Sequence, residues 1–266
     1  MPKRLIINSD DYGRTPDISR GIREAHLKGV VTSATCMMNI PTTADDVRVA
    51  LKETPDLKLG VHLVLTMGKP LSKNEAVSSV VDGDGNFFKY DAFVDNLQNL
   101  VMDQVKSEWR LQIERFVQTT GHKPTHLDSH HHSSFFSAEL FRGMLELARE
   151  YECAIRYPFT NVYSEIEEAG KYASDWIKEY DIRHPDVFIS EFYDDSATFD
   201  AILGIVNNLE EGVSELMCHP GHVDDAFSKE STYNFQRARE LKILTDSAVK
   251  HAIENNNIQL ISFSDL

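Results

Sequence analysis

Short apolar runs alternate along this chain with segments of helical periodicity, and most of the apolar runs end in polar or charged residues. That rhythm restricts the fold more than any single motif, because repeated strand–helix units pack as a parallel sheet flanked by helices. It predicts strands over 5–8, 31–39, 57–65, 125–129, 154–157, 187–192, 213–218 and 258–263, and helices over 16–28, 42–54, 91–120, 138–151, 199–209 and 233–255. Segment 161–182 reads as helical pieces. With 266 residues and 41% hydrophobic content the chain can build one sizeable core, so we expect an α/β protein of a single domain over 1–266, its sheet curled into an irregular barrel. Residues 66–90 break the rhythm with Gly68, Pro70, Gly83 and Gly85. They read as a long loop, with a small hairpin at Asp82-Gly83-Asp84-Gly85, and loops of this length usually carry function. In 91–120, Phe93, Leu97, Leu100, Val101, Val105, Trp109, Ile113 and Phe116 form one apolar stripe, suited to core or to a dimer surface.

Three polar strand ends carry the chemistry. Four of the eleven histidines fall in His126-Leu127-Asp128-Ser129-His130-His131-His132. Such a tract points to metal, since neutral imidazole is the commonest metal-ligating side chain, though a solvated polar loop would also hold it. Asp10 and Asp11 sit side by side after the buried run Leu5-Ile6-Ile7. Adjacent carboxylates near a core repel unless a cation or donors face them; the competing reading is a plain turn in Asn8-Ser9-Asp10-Asp11-Tyr12-Gly13. His62 interrupts the apolar run Leu59-Gly60-Val61-His62-Leu63-Val64-Leu65. Taken alone it suits a core histidine bonded to a carbonyl; in company it could meet the other two strand ends at one barrel mouth, giving an Asp plus two His with positions left for water. A further strand ends at His219-Pro220, where the proline holds His219 extended at the same inferred rim, as an acid, a substrate binder or an exposed turn residue.

The formal net charge of −15 supplies no basic stripe for nucleic-acid phosphates and no attraction to anionic membranes. Cys36, Cys153 and Cys218 are odd in number and far apart, which suggests no disulfide framework. Met1-Pro2-Lys3-Arg4-Leu5 leads straight into a strand without an apolar leader, and no run approaches membrane-spanning length, so a cytoplasmic location is expected.

Several strings, in order along nearly the whole chain, resemble the YdjC-like carbohydrate deacetylase family, which includes the chitooligosaccharide (diacetylchitobiose) deacetylases. They are Asn8-Ser9-Asp10-Asp11-Tyr12-Gly13, Gly60-Val61-His62-Leu63, Thr66-Met67-Gly68-Lys69-Pro70-Leu71, Lys123-Pro124-Thr125-His126-Leu127-Asp128-Ser129-His130-His131-His132 and Glu215-Leu216-Met217-Cys218-His219-Pro220. The resemblance implies a distorted TIM-like (β/α) barrel, often homodimeric, that hydrolyses an N-acetyl group from an amino sugar. It implies one divalent ion, Mg or Zn with Mn and Co also suited, on Asp11, His62 and His130. Asp10 matches the general base, and His219 the protonated acid or oxyanion partner. Arg156 stands where the family tends to place a substrate-binding arginine. His126 and His130 have helix-type i,i+4 spacing, but on a strand they stand roughly 13 Å apart, which favours His130 as the ligand. His126 and Asp128 are then substrate or supporting groups that orient ligand imidazoles.

The substrate expected is a small N-acetylated sugar such as diacetylchitobiose, with or without a 6-phosphate. The competing readings are a metal-dependent sugar isomerase, a phosphoesterase on the same barrel, and a sugar-binding protein without catalysis.

Overall fold

Every ladder in the sheet runs parallel, so all of its strands end on the same side of the molecule. A computed structural model of the chain describes residues 2–73, 76–157, 167–223, 227 and 231–266, with backbone alone for 167–172. Within them the elements alternate as β1 (Lys3–Tyr12), α1 (Pro16–Leu27), β2 (Ser33–Cys36), α2 (Thr43–Glu53), β3 (Lys58–Leu63), α3 (Tyr90–Asp95), α4 (Met102–Thr120), β4 (His126–Ser129), α5 (Ala138–Tyr151), β5 (Ala154–Ile155), α6 (Glu167–Tyr180), β6 (Val187–Ile189), α7 (Phe199–Asn207), β7 (Gly212–Cys218), α8 (Phe235–Leu244), α9 (Ser247–Asn255) and β8 (Gln259–Ile261). Part of the helical segment expected at 161–182 lies outside the described residues.

The strand order is β5-β4-β3-β2-β1-β7-β6, with β8 paired only to β1. β1 serves three partners: β7 along Lys3–Ser9 on one edge, and on the other β8 at Arg4–Ile6 followed by β2 from Asn8 onward. In a regular (β/α)8 barrel the eighth strand would lie between the first and the seventh. Here β7 takes that place directly, which is the distortion. Between β5 and β6 the described residues show no ladder, only the Ile155 amide donating to the Arg183 carbonyl at 3.0 Å.

Local chemistry sets the helices. Thr15 caps α1 by accepting from the Ile18 amide, with Pro16 at the first helical position, and Ile18, Ile22 and Ala25 are buried as their spacing requires. Ser137 caps α5 in the same way, and α4 ends at Gly121, whose φ of +76° suits a residue without a Cβ.

The helix expected over 91–120 is broken. α3 stops at Asp95, a short 3-10 turn covers Leu97–Asn99, and Leu100 and Val101 are extended before α4 begins. Ser79 makes the break, accepting from the Val101 amide with its hydroxyl (3.0 Å) and from Asn96 Nδ2 with its carbonyl (3.1 Å). Most of the apolar stripe is core: Phe93, Val105, Trp109, Ile113 and Phe116 are buried and Leu97 and Leu100 pack against the core, while Val101 is exposed. The helix expected over 233–255 is likewise two, because Asp246 is extended and turns its carboxylate to cap the second at the Ala248 amide.

The loop from 64 to 89 holds the expected hairpin, with an antiparallel bridge between Val81 and Phe87 and the Asp82 carboxylate accepting from the Asp84 and Asn86 amides. Its first stretch is tied to α4 by side chains. Buried Glu108 accepts from the Leu71 and Ser72 amides at 3.0 and 2.8 Å, while Gln112 bonds both the amide and the carbonyl of Val64 at 2.9 Å. Among the described residues no helix is long and apolar enough to cross a membrane. Glu108→Ala would leave two backbone donors without their acceptor. We expect it to lower the unfolding free energy by about 2 kcal/mol in urea titration, with the slope unchanged.

Candidate active site

Because the strands are parallel, the C-terminal ends of β1, β3, β4, β6 and β7 deliver residues at or just beyond them to one cavity of about 500 Å³. The strand expected over 5–8 continues through the acidic pair to Tyr12, with a register shift between Ser9 and Tyr12. On a regular strand, neighbours Asp10 and Asp11 would face opposite sides. Asp11 adopts φ +68°, and this bulge turns both carboxylates into the cavity.

Asp11, His62 and His130 meet there, each almost fully buried. Asp11 Oδ1 lies 3.5 Å from His62 Nε2 and 3.1 Å from His130 Nδ1, and the two nitrogens are 3.3 Å apart. Ligands about 2.1 Å from a common ion sit about 3.0–3.4 Å from one another, so these three could hold a divalent metal. Among the described residues, Asp11 Oδ1 is a buried oxygen that accepts no well-directed hydrogen bond, which suits a cation ligand. His130 reaches this position because the chain turns sharply after β4: His131 and His132 both take φ near +55°, and Ser129 Oγ accepts from the Ser134 amide at 3.0 Å. His131 bonds Thr66 Oγ1 at 3.0 Å, and His132 packs beside Phe135 and Phe188. Burial pushes their imidazoles down to about 2 and about 3, so both are neutral wall residues.

Behind the triad lies a charged cluster centred on Arg156, which is completely buried. Its guanidinium donates to both oxygens of Asp10 at 2.7 Å, to Glu215 Oε1 at 2.8 Å, and lies 3.1 Å from Asp128 Oδ2. Burial works against ionised Asp10, yet Arg156 more than offsets it and holds this carboxyl well below the usual carboxylate range. Asp128 Oδ1 meets His62 Nδ1 at 2.7 Å, and Thr35 Oγ1 donates to Asp128 Oδ2 at 3.0 Å. Burial alone would depress His62, but Asp128, with Asp10 and Asp11, lifts it to about 9. Glu215 is pushed up to about 7 by burial, against the pull of Arg156.

His219 follows β7, with Nε2 3.9 Å from Asp10 Oδ2. Burial lowers it to about 4, only partly opposed by Asp10 and Asp11, so its imidazole is neutral at pH 7 and does not stand as the resident cation expected of a protonated acid.

Two expected roles change. Arg156 does not reach the cavity as a substrate contact; its donors are taken up by the carboxylates behind Asp10. His126 orients an amide rather than a ligand imidazole. Its Nε2 bonds Asn8 Oδ1 at 3.0 Å, Asn8 Nδ2 donates to Asp10 Oδ1 at 2.9 Å, and the ring stacks on Phe263 at 3.6 Å. A Cβ on Gly60 would lie 2.5 Å from the His126 carbonyl oxygen and 2.6 Å from that ring, which explains the glycine two residues before His62. Asp128, by contrast, bonds an imidazole of the triad, that of His62.

Arg14 and Arg237 line the cavity and both reach Asp11 Oδ2, Arg14 at 3.5 Å and Arg237 more closely. Nothing in the sequence singled out Arg237, an ordinary cation in an amphipathic helix. Glu215 did carry a signal, since it is the one charged residue inside the buried strand Gly212–Cys218.

A family model described as YdjC-like protein matches residues 4–255. The chain belongs to the YdjC-like family. It is 38% identical to a carbohydrate deacetylase of Clostridium beijerinckii over 99% of this chain and 100% of the relative, and 33% identical to a chitooligosaccharide deacetylase of Salmonella paratyphi B over the full length of both. Its fold superposes on a crystal structure from Enterococcus faecalis, of a protein proposed to cleave cellobiose phosphate, with a TM-score of 0.90, 35% identity and 100% and 99% of the two chains covered. A family 4 carbohydrate esterase from Streptomyces lividans shares the fold alone, at a TM-score of 0.51 and 11% identity over 97% of this chain and 91% of the other.

In this YdjC-like protein, Arg156→Met would leave the buried carboxylates Asp10, Asp128 and Glu215 without their cation. We expect a loss of about 3–5 kcal/mol in urea unfolding. Asp10→Asn combined with Arg156→Met should cost less than the sum of the two single changes, because the carboxylate and the guanidinium share one contact.

Proposed function

We propose that this protein is a metal-dependent carbohydrate deacetylase that removes an N-acetyl group from a small amino sugar such as diacetylchitobiose, releasing acetate. The observation that carries the reading is an ionised carboxylate that is not one of the three converging donors, Asp10, set between them and His219 at the wall of one cavity. The names of its close full-length relatives support the same class of reaction.

Asp11, His62 and His130 would hold one divalent ion, Mg or Zn with Mn and Co also suited, and when bound it supplies Lewis acidity toward the acetyl carbonyl and toward water. Asp10 acts as general base and takes the proton of the attacking water. Arg156 grips both of its oxygens, which fixes its orientation and keeps it ionised beside Asp11. Asp128 holds the His62 ring in place through Nδ1, leaving Nε2 turned to the cavity. His219 acts as general acid toward the leaving nitrogen. Since burial keeps its imidazole neutral at rest, the proton it delivers arrives during turnover, and Asp10 stands 3.9 Å away as its source. The products are acetate and a free amine on the sugar.

Asp10→Asn should retain ion stoichiometry and fold but lose about 10²–10⁴-fold in acetate release from N-acetylglucosamine oligomers. His62→Ala should lose the ion, read by metal analysis after gel filtration. Release of phosphate in place of acetate, or sugar isomerisation, would overturn the reading. An anionic substituent such as a 6-phosphate is supported by Arg14 Nε and Arg237 Nε and Nη1, which among the described residues are buried donors without a hydrogen-bond acceptor on this cavity's wall. Arg14→Gln should raise KM for a phosphorylated N-acetyl disaccharide at least tenfold, about 1.4 kcal/mol, and leave the unphosphorylated sugar within twofold.

A further inference from the structure

The wall facing the triad is built around one side chain with no part in the chemistry so far, Glu240 on α8, which is completely buried. One of its oxygens accepts the backbone N–H of His219, and the other accepts the hydroxyl of Tyr233. That hydroxyl in turn accepts from the Asp194 amide at 3.1 Å, and Gln236 Nε2 donates to Asp194 Oδ1 at 2.8 Å. The segment after β6 is thereby tied to the same carboxylate as the end of β7. The rings follow the backbone. Tyr193 and Tyr233 stack at 4.7 Å, and each presents an edge contact to the His219 imidazole, at 5.4 and 5.5 Å. Among the described residues, His219 Nδ1 is buried without a hydrogen-bond partner, and no side-chain acceptor aims this imidazole as Asp128 aims His62. What fixes it is its own main chain and the two tyrosine rings, and Glu240 holds the main chain and one of the rings.

We infer that Glu240 is the positioning residue for the His219 imidazole, acting through the His219 backbone and the Tyr233 ring without touching substrate. The inference rests on the acid role proposed for His219. A carboxylate that merely stabilised the fold would, on removal, lower the melting temperature and leave the turnover of the folded molecules intact. A positioning carboxylate would lower kcat in fully folded, ion-loaded protein, since a displacement of about 1 Å at a reacting group can cost about 10²-fold.

The test compares Glu240→Ala, Glu240→Gln and Tyr233→Phe with the unaltered full chain, zinc-loaded, on N-acetylglucosamine oligomers. The His219 ring resonance, assigned by its loss in His219→Ala, is followed by NMR. Glu240→Ala should lower kcat about 10²-fold, with KM and zinc stoichiometry within twofold, and shift or broaden the His219 resonance. Glu240→Gln keeps an oxygen for the His219 N–H, so it should retain at least a tenth of the original kcat and most of the native resonance. Tyr233→Phe should fall between them, and it carries the test if Glu240→Ala does not fold. An unshifted His219 resonance with kcat within threefold of the original, in Glu240→Ala or, failing its folding, in Tyr233→Phe, overturns the inference. So does a Gln variant as defective as the Ala variant with an unmoved resonance. If the unaltered protein releases no acetate, the deacetylase reading fails, and the ring resonance alone still decides whether Glu240 positions His219.

Discussion

The contact on which this site depends is the buried guanidinium of Arg156 against Asp10, Asp128 and Glu215. Three carboxylates this close would not remain ionised in a low-dielectric interior without a cation among them. Arg156 supplies that charge and, through its planar fork, also fixes geometry, engaging both oxygens of Asp10 at once. Asp10 is thereby an ionised base beside a second carboxylate, and Asp128 is held as the hydrogen-bond partner of His62. Burial lifts Glu215 to about 7 against the pull of Arg156. Removing the arginine would disturb the base and a triad histidine together, although it touches neither His62 nor the cavity.

The sheet explains how such distant residues come to share one charge. β1 lies at its centre with β7 on one edge and β8 and β2 in succession on the other, so its last residues are surrounded by the ends of neighbouring strands. The bulge at Asp11 then turns two consecutive carboxylates to one side. They do different things because their surroundings differ. Asp10 lines the cavity with both oxygens held by Arg156 behind it. Asp11 faces forward, with one oxygen toward His62 and His130 and the other toward Arg14 and Arg237. The two walls of the cavity are built unlike each other: hydrogen-bonded carboxylate and imidazole behind the triad, and stacked tyrosines with a single deep carboxylate around His219.

Much of this was legible in the chain. The alternation of apolar runs with helical periodicity led to a parallel α/β sheet, because periodicity is a local property that burial enforces residue by residue. Asp10, Asp11, His62 and His219 stood out because each is a titratable group at or inside an apolar run, where its presence asks for a reason, and His130 because it belongs to a cluster of histidines. The breaks at Asn96–Val101 and Thr245–Asp246 were not legible. Both segments have unbroken helical spacing; Ser79, distant in sequence, accepts from the main chain at the first break, while Asp246 caps the following helix instead of continuing the preceding one.

The sequence by itself determined the alternating elements, the polar strand ends, the set of side chains able to hold a cation and, through its motifs, membership of the YdjC-like family. Only the tertiary structure decided what those side chains face. Arg156 turned from a candidate substrate contact into the buried counter-ion of Asp10, and His126 became the support of Asn8. Arg237 and Glu240 emerged from an unremarkable helix as neighbours of Asp11 and His219. The physical reason is that a residue's type and local spacing are written in the chain, whereas its charge state and hydrogen-bond partners depend on groups tens to hundreds of residues away, brought within a few ångströms only when the sheet closes.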